Sequence, residues 1–234
     1  FNGCSVMGTA SGGSNILDIS KSTNLKEVDI RGTKITAVVT NPNGGNLQKI
    51  YFPDSIQNIT LDNQVNLEVV GIPYIDQTAT AKSLATVSIS NCNAITSLCY
   101  PFNEEDNLAF GPLKYVQYLT IDNSFNDMTD MNFEGFDKLR TVDIKNMPYI
   151  ENIDFIDLLP ADAVSTFERI TLANIPKVNK LAFNVTSDAN KIAFVDGAII
   201  DLGSLNIETL ESNTGIQGAK KLILPVGLKE LKFT

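Results

Sequence analysis

The chain has 234 residues, of which 43% are apolar, and its 18 basic and 27 acidic residues give a net charge of −9. Such an acidic surface repels phosphate groups, which argues against nucleic acid as a partner and against a basic amphipathic helix on a membrane surface. Histidine and tryptophan are absent, which removes the commonest general base, the commonest metal ligand and one aromatic binding anchor, and no apolar run is long enough to span a membrane.

The first 14 residues are rich in glycine and serine and include the stretch GTASGGS. They are predicted to form a flexible lead or an irregular N-terminal cap. Three cysteines occur in the whole chain, at Cys4, Cys92 and Cys99, and this odd, widely spaced set fits neither a disulfide framework nor a zinc site. Cys4 is either an ordinary terminal cysteine or the lipid-bearing cysteine of a bacterial lipoprotein.

One apolar rhythm recurs along the rest of the chain. In its fullest form apolar residues follow each other at steps of three, two, six and three. This form occurs at Leu84, Val87, Ile89, Ile95 and Leu98, at Leu139, Val142, Ile144, Ile150 and Ile153, and at Phe167, Ile170, Leu172, Val178 and Leu181. Versions with a different middle step begin at Leu25, Leu47, Val116 and Ala219, and partial copies begin at Leu67 and Ile207. Such self-similarity predicts stacked structural repeats.

The spacing within one repeat predicts its shape. The two apolar residues that are two apart point to the same side of an extended strand, and the later pair turns the chain back over the same core. One such coil buries too few apolar groups to offset the entropy of ordering it, so neighbouring coils have to stack on each other. We therefore expect residues 15–234 to form a single solenoid of about 9–10 irregular coils.

The pattern resembles that of leucine-rich repeat proteins, L-x-x-L-x-L-x-x-N/C-x-L. Cys92, in LATVSISNCNAI, occupies the N/C position, whereas the other coils place residues such as Thr33 or Ile175 there, so the asparagine ladder of the family is not kept. The segments LQKIYFPDSIQNI (47–59) and AKKLILPVGLKEL (219–231) are similar to bacterial surface-antigen (BspA-like) repeats, although they lack the Ala-Phe and Cys that usually follow. The resemblance implies a right-handed superhelix that is mainly β, with a parallel sheet and few short helices.

Three insertions interrupt the repeats, near residues 73–83, 99–112 and 156–166. Pro160 and Asp162 in the third insertion suit the start of a helical turn. Insertions in a solenoid collect on one edge, so these segments are either contact surfaces or simply looser connections. The last repeat ends in the strand-like LKELKF, and we expect a neighbouring domain, a subunit or the folded insertions to cover it.

The outward side of the repeated strands is the candidate binding surface. Family members commonly bind along this wall, so the resemblance implies a protein or glycan ligand there, while the alternative is a polar face that only keeps the sheet soluble. Tyrosines on it supply the rigid aromatic contacts that interfaces favour. The candidate residues are Asp29, Lys49, Tyr51, Tyr118, Thr120, Asp122, Asp143, Lys145 and Arg169.

Motifs for enzymatic chemistry are scarce. We expect no catalytic site, no bound metal and no cofactor. Glu104, Glu105 and Asp106 are the only dense acidic run and fit a solvated loop better than a glycosidase carboxylate pair. The stretch DNSFNDMTD (122–130) has oxygen ligands for calcium but lacks the glycine of a calcium loop.

The sequence thus favours a non-enzymatic binding or adhesion module, outside the cytoplasm on a bacterial surface or a virion. A structural spacer that presents neighbouring domains is the alternative, and a carboxylate-dependent hydrolase is a remote one.

Overall fold

The structure, a computed structural model, describes residues 15–72, 84–98, 113, 115–133, 135–136, 138–156, 167–184, 193–212 and 217–233. The predicted lead at 1–14, the insertions at 73–83 and 99–112, and all but Ile156 of the insertion at 156–166 lie outside these residues. The chain divides into two compact units, an N-terminal unit (Phe1–Gly111) and a C-terminal unit (Pro112–Thr234). The single array predicted over 15–234 stays a prediction.

Every regular element within the described residues is a β-strand. The N-terminal unit contains β1 (Ile16–Asp18), β2 (Glu27–Asp29), β3 (Ala37–Val39), β4 (Lys49–Tyr51), β5 (Asn58–Asp62), β6 (Val69–Gly71), β7 (Thr86–Ser90) and β8 (Ser97–Leu98). The C-terminal unit contains β9 (Tyr118–Asp122), β10 (Asp130–Asn132), β11 (Thr141–Lys145), β12 (Asn152–Ile156), β13 (Phe167–Ala173), β14 (Lys180–Asn184), β15 (Ala193–Asp201), β16 (Thr209–Ser212), β17 (Gln217–Ile223) and β18 (Glu230–Phe233).

The strands of the C-terminal unit alternate between two parallel sheets. One sheet runs β9-β11-β13-β15-β17 and the other runs β10-β12-β14-β16-β18. In the N-terminal unit β2-β4-β6-β8 form one parallel sheet, and β5 pairs with β7 and β1 with β3, again in parallel. The chain is therefore mainly β with parallel sheets, as predicted. The few short helices implied by the resemblance do not occur among the described residues, and Pro160 lies outside them.

Strand partners lie 20 to 30 residues apart in the sequence, from Lys49 and Val69 to Arg169 and Ile199. In the three fullest copies of the apolar rhythm the described inward positions are buried as predicted: Val142, Ile144 and Ile153, for example, are each 0% exposed. In the copy that begins at Ala219 this prediction was wrong for Leu224 and Leu231, which are 37% and 43% exposed. Because alternate residues of a strand point to opposite sides, the residues between them face outward. The buried sides of the strands and the apolar residues of the turns make up the core.

Three phenylalanine rings are stacked in the core of the C-terminal unit. Phe133, Phe155 and Phe183 are fully or almost fully buried, and successive ring centroids are 4.6 and 5.0 Å apart with nearly parallel planes. Phe155 and Phe183 are in register on β12 and β14, so parallel pairing places one ring above the next. The stack therefore ties consecutive repeats together through their side chains as well as their backbones.

Candidate functional site

The outward side of β9, β11 and β13 carries six of the nine candidate residues. On these strands Leu119, Ile144 and Leu172 are at most 1% exposed, while the residues between the inward ones are exposed or half-buried. Parallel pairing without offset aligns the outward residues into rows across the strands, about 4.8 Å apart. We call this surface the β9–β11–β13 face. Its residues are Tyr118, Thr120, Asp122, Thr141, Asp143, Lys145, Arg169 and Thr171.

The first row of this face contains Tyr118, Thr141 and Arg169, which are in direct register. Tyr118 is 38% exposed and Arg169 is exposed. Among the described residues neither Tyr118 nor Arg169 has an ion pair or a side-chain hydrogen bond. An aromatic ring, a hydroxyl and a guanidinium thus lie side by side on the surface, where they can contact a ligand.

The second row contains Thr120, Asp143 and Thr171. The Lys145 ammonium donates a hydrogen bond of 2.8 Å to Asp143 Oδ2, so the charge of this row is balanced within β11. Asp143 Oδ1 is buried and accepts no hydrogen bond from a described residue. Because Lys145 already occupies the carboxylate, this row offers mainly threonine hydroxyls to a ligand.

Asp122 belongs to a ladder of asparagines at the ends of the strands. Its Oδ1 accepts a 2.7 Å hydrogen bond from Asn146 Nδ2, and Asn146 Oδ1 accepts one of 2.7 Å from Asn174 Nδ2. The N-terminal unit has a shorter counterpart, in which Asn91 donates to Asp62 Oδ1 at 3.3 Å. This ladder couples successive repeats on the surface.

The asparagine that directly follows each of β5, β7, β9, β11 and β13 adopts a left-handed backbone conformation, with φ of 53–56° at Asn63, Asn91, Asn146 and Asn174 and 44° at Asn123. Asparagine tolerates this region better than most residues. The sequence signal is the triplet apolar-x-Asn that ends each of these strands, as in LDN (61–63) and IKN (144–146). The leucine-rich repeat pattern places its asparagine one residue later, at the position of Cys92, so the pattern does not identify this triplet.

Asp29 and Tyr51 lie in the N-terminal unit, where both contact Arg31. Asp29 accepts hydrogen bonds from Arg31 Nε at 2.9 Å and from Arg31 Nη2 at 2.6 Å, and the Arg31 guanidinium lies 4.9 Å from the centroid of the Tyr51 ring. These hydrogen bonds from Arg31 lower the pKa of Asp29. The Tyr51 ring also lies against Gly71, where an added Cβ would come within 2.5 Å of Tyr51 Cδ1.

Lys49, the remaining candidate, is exposed on β4 and is in register with Glu27 and Val69. The structure therefore divides the nine predicted residues into two groups. Asp29, Lys49 and Tyr51 lie together on β2 and β4 in the N-terminal unit, and the other six lie together in the C-terminal unit.

The order of strands in the N-terminal unit differs from the expected order. Consecutive copies of the rhythm begin at Leu67 and Leu84, which predicts that their strands, β6 and β7, are neighbours in one sheet. Instead β6 pairs with β8, and β7 pairs with β5. Val70 is in register with Leu98, and Ser88 with Thr60. The apolar-x-apolar pattern is the same for strands of either sheet, so it does not specify the sheet to which a strand belongs.

The other features singled out in the sequence carry no site among the described residues. Those residues contain no cluster of Asp, Glu, Cys or His able to hold a metal, and Asp130 Oδ1 of the stretch 122–130 accepts a 2.5 Å hydrogen bond from Asn152 Nδ2. Glu104, Glu105, Asp106, Cys4 and Cys99 lie outside them. The described part of the chain contains no helix with the length and apolarity needed to cross a membrane.

Cys92 is fully buried, and its thiol donates to the Ser90 carbonyl at 3.2 Å. Burial raises the pKa of Cys92 to about 11, so the thiol is neutral and unreactive at neutral pH. Cys92 is therefore a core residue and not a nucleophile.

Comparison of the chain with protein-family models, with curated proteins and with solved structures gave no match.

Proposed function

We propose that the chain is a leucine-rich-repeat solenoid that serves as a non-enzymatic binding module through the β9–β11–β13 face. The solenoid interpretation is supported by the parallel pairing of strands 20 to 30 residues apart and by the left-handed asparagine that directly follows β5, β7, β9, β11 and β13. We further propose that the module acts outside the cytoplasm, on a bacterial surface or a virion, and that its ligand is a protein or a glycan.

The observation that carries this proposal is the row of Tyr118, Thr141 and Arg169. Two carboxylates elsewhere on the candidate surfaces are engaged within the chain: Asp29 with Arg31, and Asp143 with Lys145. Tyr118 and Arg169 are exposed and have no such partner among the described residues. Tyrosine and arginine are the residue types that most often dominate binding energy at interfaces.

The test compares a face variant with a matched control. Tyr118→Ala with Arg169→Ala removes both groups of the row, and Tyr149→Ala removes a tyrosine that is 43% exposed in a turn of the same unit. Binding to a glycan array and to immobilised cell-surface proteins is measured for the parent and both variants. We expect the double variant to lose at least about 30-fold in affinity, which corresponds to about 2 kcal/mol, and the control to bind like the parent. Equal binding by all three would reject the face as the site.

A structural spacer is the second candidate, and the internal pairing of Asp29, Arg31 and Tyr51 favours it. A surface whose charges and rings are engaged with each other has little left for a ligand. The spacer predicts that neighbouring domains contact the end strands of the array, and that the face variant leaves assembly with those domains unchanged. Loss of assembly in the face variant would exclude the spacer.

A further inference from the structure

The last two strands of the C-terminal unit each have a partner on one side only among the described strands. β17 pairs with β15, and β18 pairs with β16. Leu231 on β18 is 43% exposed, although Leu210, its register partner on β16, is 0% exposed. Leu224, directly after β17, is 37% exposed, and Val226 in the following turn is 99% exposed.

An exposed strand edge with apolar side chains is a template for pairing with another strand. The local charges of β18 indicate which strand fits. Lys229, Glu230 and Lys232 surround Leu231, and the Lys232 ammonium lies 3.0 Å from a Glu230 carboxylate oxygen on the outward side of the strand. Both of these side chains are about half exposed. The edge therefore carries one positive and one negative group on either side of an apolar centre.

This arrangement is complementary to itself under a two-fold rotation. If β18 pairs antiparallel with β18 of a second copy, centred on Leu231, then Leu231 lies opposite Leu231 of the second copy. Glu230 then lies opposite Lys232 of the second copy, and Lys232 opposite Glu230 of the second copy. Directly opposed residues of opposite charge stabilise an antiparallel pair, and like charges destabilise it. A two-fold interface requires this kind of self-complementary patch.

We propose that the edge of β18 is a homodimer interface in which two copies of the chain join by antiparallel pairing centred on Leu231. The dimer covers the exposed Leu231 side chains and creates a cluster of four charges with alternating sign. A single strand edge is a small interface, so the dimer is expected to be weak, with a dissociation constant in the micromolar range. The proposal is independent of the β9–β11–β13 face and of its ligand.

The test is sedimentation equilibrium of the 234-residue chain across a concentration series. Lys232→Glu places Glu opposite Glu at both symmetry-related positions, and we expect it to weaken dimerisation about tenfold or more. The double variant Glu230→Lys with Lys232→Glu exchanges the two charges and restores opposite pairs, so its dissociation constant should return to within about threefold of the parent value. Lys21→Glu, the same charge change at an exposed residue of the N-terminal unit, should leave dimerisation unchanged.

Far-UV circular dichroism confirms that each variant is folded, which is expected because both side chains are at the surface. A parent chain that stays monomeric up to several hundred micromolar overturns the proposal. It is equally overturned if Lys232→Glu dimerises like the parent, or if the charge-exchanged variant fails to regain dimerisation.

Discussion

Two consecutive repeats of the C-terminal unit use the same residue type at the same register positions and yet differ in burial. In the repeat of β15 and β16, Leu202 and Leu210 are 0% exposed. In the next repeat, of β17 and β18, the corresponding Leu224 and Leu231 are 37% and 43% exposed. The first repeat has described strands on both sides, and the second on one side only.

The difference shows that a position in the repeat does not by itself determine burial. Leu210 is a core residue on a strand that has neighbours on both sides, because β16 pairs with β14 and with β18. The corresponding Leu231 remains exposed, and the proposed dimer would cover it.

The largest expected effect is the difference in stability loss between truncating the buried Leu210 and truncating the exposed Leu231. Leu210→Ala should lower the free energy of unfolding by about 2–5 kcal/mol, because it removes a fully buried side chain and leaves a cavity. Leu231→Ala should cost about 1 kcal/mol or less, because much of its side chain is already in contact with water. Urea unfolding at a dilution where the chain is monomeric measures both values. Equal losses would contradict the difference in burial between Leu210 and Leu231.

The pH dependence of stability tests the effect of burial at Cys92, in the N-terminal unit. The folded-state pKa of Cys92 is about 11 against an ordinary value of 9.0, so above pH 9 the unfolded state releases a proton that the folded state keeps. Stability should therefore fall as the pH rises from 9 to 11, by about 2–3 kcal/mol in total from this group.

The matched measurement is the difference between the parent and Cys92→Ala, followed from neutral pH to pH 11. The contributions of the lysines are common to both proteins and cancel in this difference. A constant difference across the range would mean that Cys92 titrates as it does in the unfolded chain.

A smaller effect on stability is expected from the hydrogen bonds of the asparagine ladder. Asn146 donates to Asp122 and accepts from Asn174, while β17 is followed by Leu224 and Pro225 instead of an asparagine. Asn146→Gly keeps access to the φ of 54° and should cost about 0.5–1.5 kcal/mol for the lost hydrogen bonds. Asn146→Ala should cost about 1 kcal/mol more, because alanine is strained in this region. Thermal unfolding of both variants measures the two values, and identical losses would show that the backbone conformation contributes nothing.

The inward residues of the repeats could be predicted from the sequence. Val142, Ile144, Ile170 and Leu172 follow the rhythm and are buried, because a spacing of two fixes the side of a strand to which a residue points. The later apolar pair and its continuation, as at Ile153 and Phe155, became a full strand of the second sheet. For the same reason the outward position of Tyr118, Asp143 and Arg169 followed from the pattern.

Partners across the sheet could not be predicted in the same way. The pairing of Val70 with Leu98 depends on how many residues the chain uses in each turn, and an apolar pattern does not constrain that number. The salt bridge between Asp29 and Arg31 and the exposure of Leu231 likewise depend on neighbours in space. The asparagine ladder was readable as the apolar-x-Asn triplet, but only a structure shows that Asn146 lies between Asp122 and Asn174.

The phenylalanine stack has a consequence for how such a chain changes during evolution. Its rings at Phe133, Phe155 and Phe183 are 22 and 28 residues apart in the sequence, yet they are stacked at similar distances. Turns thus absorb differences in length without disturbing the order of the rings. Duplication or deletion of the segment that carries β11 and β12 would add or remove one ring and leave the stack continuous. The stack does not continue into β16, where Ser212 is in register with Phe183, so a change in length there would leave the rings unaffected.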